Sequence, residues 1–137
     1  MYIDVHCHLE LLHNVNEIVE SAREEGVDLI LWNGTDVKTN RLVLGFSRKF
    51  DEIKAVLGLY PSDALKLSDS EIDDEISFIK KNKDFIVGIG EVGMDFYHAG
   101  SHKRQKEIFR KFIKLSIKLD KPITVHSRKA EKECIEI

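Results

Sequence analysis

The chain opens with "YIDVHCHLE", in which two of its six histidines stand as His6 and His8 around Cys7. In an extended strand successive side chains point to opposite faces, so Asp4, His6 and His8 share one face while Val5 and Cys7 share the other. Two adjacent imidazoles are nitrogen donors for a divalent metal, but two alone close no site of the usual four- to six-ligand kind. Further donors must come from elsewhere in the chain. Glu91 in "GIGEVGMDF" and His126 in "PITVHS" qualify, because each stands at the end of a short apolar run, as His6 and His8 do. Three imidazoles and a carboxylate on one rim form the nitrogen and oxygen donor set of a zinc, manganese or similar hydrolytic site. Bland readings compete: a strand histidine is often a hydrogen-bonded core or surface residue, and a buried Glu91 serves equally in a structural salt bridge. The glycines flanking Glu91 permit close backbone approach, and burying its carboxylate is costly unless it is paired or bound to metal.

Such a rim exists only if strand ends converge. After the first strand, "NVNEIVESAREEG" predicts a helix: Asn14 caps it, Glu17 lies three positions on, apolar residues follow at helical spacing, and Gly26 stops it. "VDLILWNG" predicts a buried strand, and "DVKTNRLVLGFSRKF" returns to helical spacing. Then come strand "IKAVLGLY", helix "SDSEIDDEISFIKKN" with a Ser68 to Glu71 capping box, strand "FIVGIGEVG", helix "KRQKEIFRKFIKLSIKL", strand "PITVHS" and a helical start in "KAEKECIEI". Apolar strands without polar alternation, each followed by a helix, predict a parallel α/β fold covered by helices. The first strand-to-helix turn, "HCHLELLHN", has no glycine-rich phosphate loop, which favours a TIM-barrel (β/α) arrangement over a doubly wound nucleotide-binding sheet. In either fold the C-terminal strand ends carry the chemistry: His6 and His8, Asn33, Tyr60, Glu91, and His126 with Ser127 and Arg128.

A closed barrel takes about 250 residues and eight strands, whereas 137 residues supply five strand-helix units. The expectation is an incomplete barrel, a single domain over 1–137 shortened at its C-terminus, or else a chain that closes its sheet edges with a second copy. No linker or low-complexity tract divides it. At 42% hydrophobic and 33% charged residues the composition is that of a soluble globular domain. Without a signal or membrane-spanning segment, the expected location is the cytoplasm. The net charge of -3 gives no general basic field, so nucleic-acid binding needs a local patch or a metal. Cys7 reads as a buried small hydrophobe and Cys134 as a surface thiol. His13, His98 and His102 read as solvated, with His98 within possible reach of the rim, and "SHKRQK" as a solvated helix start that on a metal rim also attracts phosphate.

The segments "DVHCHLE", "GLYP", "GIGEVGMDFY", Gln105 spaced to Phe109 in "QKEIF", and "KPITVHSRKA" together resemble the TatD-type metal-dependent deoxyribonucleases of the amidohydrolase superfamily. The resemblance implies that His6 and His8 bind one metal, Glu91 bridges two, and His126 binds the second, with Mg²⁺, Mn²⁺ or Zn²⁺ as the divalent ions. Arg128 would hold substrate. It implies hydrolysis of DNA phosphodiester bonds at ends or in single strands, as a 3′-to-5′ exonuclease, by a water activated between two metals. Tyr60 replaces the histidine usual in the family's third-strand motif; that position resembles a substrate-phosphate contact, and tyrosine donates a hydrogen bond there without carrying charge. The family's remaining histidine ligand and the aspartate that positions its water would lie beyond Ile137, so this chain would lack the general base. Two other readings stand beside it: an amidohydrolase acting on a C–N or ester bond, and an inactive fragment that binds metal or a partner, with self-association through open sheet edges.

Overall fold

A computed structural model of the chain describes residues 2–98 and 100–137. Five strands, β1 (Tyr2–Cys7), β2 (Val27–Asn33), β3 (Ile53–Leu57), β4 (Ile86–Asp95) and β5 (Ile123–Arg128), form one sheet in the order β1-β2-β3-β4-β5. Every neighbouring pair is parallel. Sequential order with no reversal is barrel winding; a doubly wound sheet would change direction at a switch point. The helices are α1 (Val15–Glu24), α2 (Val37–Ser47), the single-turn α3 (Pro61–Ala64), α4 (Asp69–Lys81), α5 (His102–Leu119) and α6 (Glu131–Ile135).

Local chemistry explains the boundaries. The Asn14 side chain accepts from the Glu17 amide, and Ser68 and Glu71 make the reciprocal capping box that their spacing predicts. Along α5, Gln105, Ile108, Phe109, Phe112 and Leu115 recur at intervals of three and four and form its buried face. They pack on β4, whose residues are buried apart from Val87. Trp32, Leu57, Ile89, Met94 and Phe112 are each fully buried, and burial of such a side chain stabilises by about 1.5–3 kcal/mol.

The core therefore lies under β2, β3 and β4. β1 and β5 are the outer strands of the sheet, and Tyr2, Ile3, Val5 and Val125 remain exposed on them. Three strand-end expectations shift. β4 continues past Glu91 to Asp95, β3 stops at Leu57, and Tyr60 is the N-cap residue of α3. Cys134, expected at the surface, is half-buried, with its thiol directed at the carbonyl oxygen of His126 at 3.8 Å. Cys7 is also half-buried; burial, with Asp4 and Glu10 nearby, pushes its thiol up to about 12, which leaves it unreactive at neutral pH. Among the described residues, no helix is long and apolar enough to cross a membrane.

Candidate metal centre

β1 delivers His6 and His8 to the C-terminal end of the sheet, where the chain enters a short turn pinned by buried Leu9. The two Nε2 atoms are 3.0 Å apart and lie 3.3 Å and 3.1 Å from Glu91 Oε2. Metal bonds of about 2.1 Å place neighbouring ligands about 3.0 Å apart at octahedral angles and about 3.4 Å apart at tetrahedral ones. The three donor atoms already have that spacing. His8 Nδ1 lies 3.0 Å from the Asn33 carbonyl oxygen. A carbonyl only accepts, so Nδ1 carries a hydrogen and Nε2 is the nitrogen left to meet a cation. Fully buried Asn33 donates its side-chain amide to the Leu31 carbonyl at 3.1 Å, and its own Oδ1 has no hydrogen-bond partner among the described residues.

Without metal, protons hold this cluster together. Hydrogen bonds to Glu10 and then Glu91 raise the pKa of His8 to about 10, against the opposing effect of its burial. Burial pushes Glu91 upward, but the hydrogen bond to His8 and the nearby His6 and His126 outweigh it, so the carboxyl sits below its ordinary range. Glu10 behaves similarly: it accepts the Trp32 indole N–H at 2.5 Å and approaches His8 Nδ1 to 3.5 Å.

The other oxygen of Glu91 faces β5. Its Oε1 lies 3.0 Å from His126 Nδ1, so one buried carboxylate joins the histidines of β1 to the histidine of β5. On the far side of the ring, His126 Nε2 lies 3.1 Å from Asp95 Oδ2 and 3.2 Å from the Tyr60 hydroxyl. Asp95 is completely buried and fully engaged. Its Oδ1 accepts the amides of Tyr97 and His98 at 2.9 Å and 3.0 Å, while Oδ2 accepts the Tyr60 hydroxyl at 2.8 Å and meets His98 Nδ1 at 2.7 Å. Burial opposes ionisation of Asp95, yet these bonds, led by His98, hold its carboxyl far below the usual range. Tyr60 moves up through burial and its bond to Asp95.

Backbone geometry permits this closeness. Gly93 has φ +141°, and a Cβ there would stand 2.1 Å from the His126 carbonyl oxygen, so only glycine lets β4 and β5 approach beside the site. Behind it, Gln105 reaches in from α5, accepting the Asp95 amide at 2.7 Å and donating to the Asp95 carbonyl at 3.0 Å. Gln105 and Phe109, four residues apart, thus serve one purpose: the first clamps the end of β4 and the second packs α5 beneath it.

His6, His8, Glu91, His126 and Tyr60 converge as one rim. Arg128 stands farther along, with its guanidinium carbon 4.7 Å from the centre of the Tyr97 ring. His98 reaches the rim, His102 stacks on Phe96 at 3.7 Å, and His13 is exposed. In the basic helix start, Arg104 pairs with Asp69 at 2.8 Å. Asp95 and Glu10 are site residues that the sequence reading did not single out, whereas Gln105, named there only for its spacing to Phe109, holds the end of β4. Strand alternation pointed to one of them, since Asp95 is four residues after Glu91 in β4, whereas Glu10 lies in the turn after β1.

Residues 3–137 match the family model described as TatD related DNase. The chain is 37% identical over 139 residues to an uncharacterized metal-dependent hydrolase of Methanocaldococcus jannaschii, covering 99% of this chain and 54% of that protein. It is 25% identical over 150 residues to human deoxyribonuclease TATDN3, covering 98% of this chain and 55% of the relative. Among solved structures, the TatD homologue YjjV of Escherichia coli K12 superposes with a TM-score of 0.87 at 25% identity, covering 98% of this chain and 54% of that one. The chain thus spans about half the length of the curated relatives it matches. Self-association draws no support from these comparisons.

Proposed function

Because the chain belongs to the TatD related DNase family, we propose that His6, His8, Glu91 and His126 form part of a divalent-metal centre that hydrolyses DNA phosphodiester bonds. The observation that carries this reading is the meeting of His6 Nε2, His8 Nε2 and a Glu91 oxygen, all within 4.8 Å of one another, on a barrel-type rim. His6, His8 and Glu91 would hold one ion, with Glu91 and His126 contributing to a second. Bound there, Mg²⁺, Mn²⁺ or Zn²⁺ supplies Lewis acidity toward a phosphoryl oxygen and lowers the pKa of a water molecule.

The protein's own groups prepare that chemistry. The Asn33 carbonyl fixes the His8 ring, Asp95 fixes the His126 ring, and Glu91 is kept ionised by the histidines around it. Arg128 is the phosphate contact, since no carboxylate lies within ion-pair distance of it among the described residues. Tyr60 reaches a phosphate only by exchanging its bond to Asp95. With a net charge of -3 there is no general basic field, which fits capture of ends or single strands better than wrapping of duplex. The 3′-to-5′ direction is part of this proposal. The same donors would serve a C–N or ester hydrolase; the name of the human relative, a deoxyribonuclease, favours DNA.

The test is nucleotide release from oligonucleotides labelled at either end, with Mg²⁺, Mn²⁺, Zn²⁺ or EDTA, by wild type and Glu91→Gln. Cation-dependent release from the 3′ end that the variant loses by more than about a hundredfold is expected, because a ligand matters at least as much as its supporting residues. Equal release by both proteins contradicts the assignment; no release with any cation, where metal still binds, contradicts catalysis by this chain alone and leaves the metal centre standing.

A further inference from the structure

One aromatic side chain beside the rim, Tyr97, lies largely in solvent, with the His98 ring edge-on to it at a centroid distance of 5.2 Å. Tyr97 is 59% exposed. Its backbone is fixed, because its amide donates to Asp95 Oδ1 at 2.9 Å and the neighbouring Phe96 amide donates to the Arg128 carbonyl at 2.9 Å. Two cations gather at its ring: the Arg128 guanidinium carbon is 4.7 Å and Lys129 Nζ 4.8 Å from the ring centre. They come from consecutive residues. Lys129 has φ +53°, and this left-handed turn directly after β5 lets both side chains reach one ring.

Other cation–aromatic contacts in the molecule are tied down. Arg41 lies over Phe78 but pairs with Glu75, Arg48 over Phe85 also bonds Asn82, and Lys49 near Phe50 bonds Asn16. Arg128 and Lys129 have no such side-chain partner among the described residues. The nearby groove of about 560 Å³ between Lys66 and Arg104 is different, since those cations are paired with Asp63 and Asp69. An exposed ring with two unneutralised cations is the combination by which proteins hold single-stranded nucleic acid, the ring stacking on a base and the cations meeting the backbone. Sheet register joins it to the rim, since Arg128 is paired with Asp95 across β4 and β5, and Asp95 touches His126.

We propose that Tyr97, Arg128 and Lys129 form a nucleotide subsite beside the metal centre, in which a base of the DNA strand stacks on Tyr97 and the adjoining phosphate lies between the two cations. This rests on the DNA-hydrolase reading above. Stacking tolerates any base, so the subsite holds the strand without selecting sequence.

Binding in EDTA separates the subsite from catalysis. Fluorescence anisotropy with the chain would compare a short labelled oligothymidylate with an abasic strand of equal length, for wild type, Tyr97→Ala, Tyr97→Phe and the double variant Arg128→Ala with Lys129→Ala. Loss of stacking should weaken oligothymidylate binding by Tyr97→Ala about tenfold, leave its abasic binding unchanged, and be rescued in Tyr97→Phe. The double cation variant should weaken both ligands. Equal affinities of wild type and Tyr97→Ala for oligothymidylate overturn the subsite, and metal-dependent release persisting alongside them would leave the hydrolase reading standing. Binding that depends on Tyr97, with no metal bound at His6, His8 and Glu91 under any cation, would instead contradict the metal-centre reading and leave the subsite intact. Absence of binding to either ligand overturns the subsite.

Discussion

At the scale of single residues, the site is a carboxylate with a different histidine environment on each oxygen. Asp95 supports it by orienting His126 and bonding Tyr60 and His98 at once. Asp95→Asn keeps the shape but puts an NH₂ where an acceptor is needed, and metal affinity should fall about 10–100-fold, as read by calorimetric titration. An unchanged affinity would show that His126 needs no such partner. His8 sets a pH dependence in the metal-free protein. Its pKa is raised from 6.5 to about 10, so its stabilising contribution is complete below pH about 6.5 and is lost as pH rises through 10. Urea midpoints measured in EDTA should decline over that window, and the decline should be shallower in His8→Gln. Identical profiles would remove His8 as its source.

The elements place these groups to within a hydrogen bond. β4 is the rigid member, buried over nearly its whole length, and α5 lies against it through Gln105, Phe109 and Phe112. Phe112→Ala should cost about 3–5 kcal/mol of stability in chemical denaturation. Gly93→Ala puts a methyl 2.1 Å from the His126 carbonyl at a φ that side chains rarely adopt. It should therefore push β5 from β4 and lower both the melting temperature and metal affinity, whereas Gly45→Ala, with open space around it, should lower neither. Helices and strands were legible because apolar spacing and capping residues act locally: Ser68 and Glu71, or the buried face of α5, require no knowledge of the rest of the fold. The extension of β4 to Asp95 was less so. The apolar run "FIVGIGEVG" ends at Gly93, and pairing with β5 carries the strand on through Met94 and Asp95. The single-turn α3 owes its form to Pro61 at its first position and is too short to produce a periodic signal.

Over the whole molecule, sequential winding brings the ends of β1, β4 and β5 to one rim, although His6 and His126 are separated by most of the chain. The donors themselves were legible, because His6, His8, Glu91 and His126 each end an apolar run. Their partners were not, because the roles of Asn33 O, Glu10 and Gln105 depend on which strand lies beside which. The charge balance belongs to this scale too. With a net charge of -3 and only Arg128 and Lys129 assigned to phosphates, the slope of log binding constant against log salt for single strands should be about -1 to -2. A much steeper slope would indicate phosphate contacts spread over other surfaces.

The most direct test of the metal centre is anomalous diffraction from crystals of the chain equilibrated with Mn²⁺. A peak within bonding distance of His6 Nε2, His8 Nε2 and a Glu91 oxygen, about 2.0–2.3 Å from each, is the expected result. Crystals that bind Mn²⁺ only elsewhere, or leave these three side chains joined by hydrogen bonds at saturating metal, would contradict it.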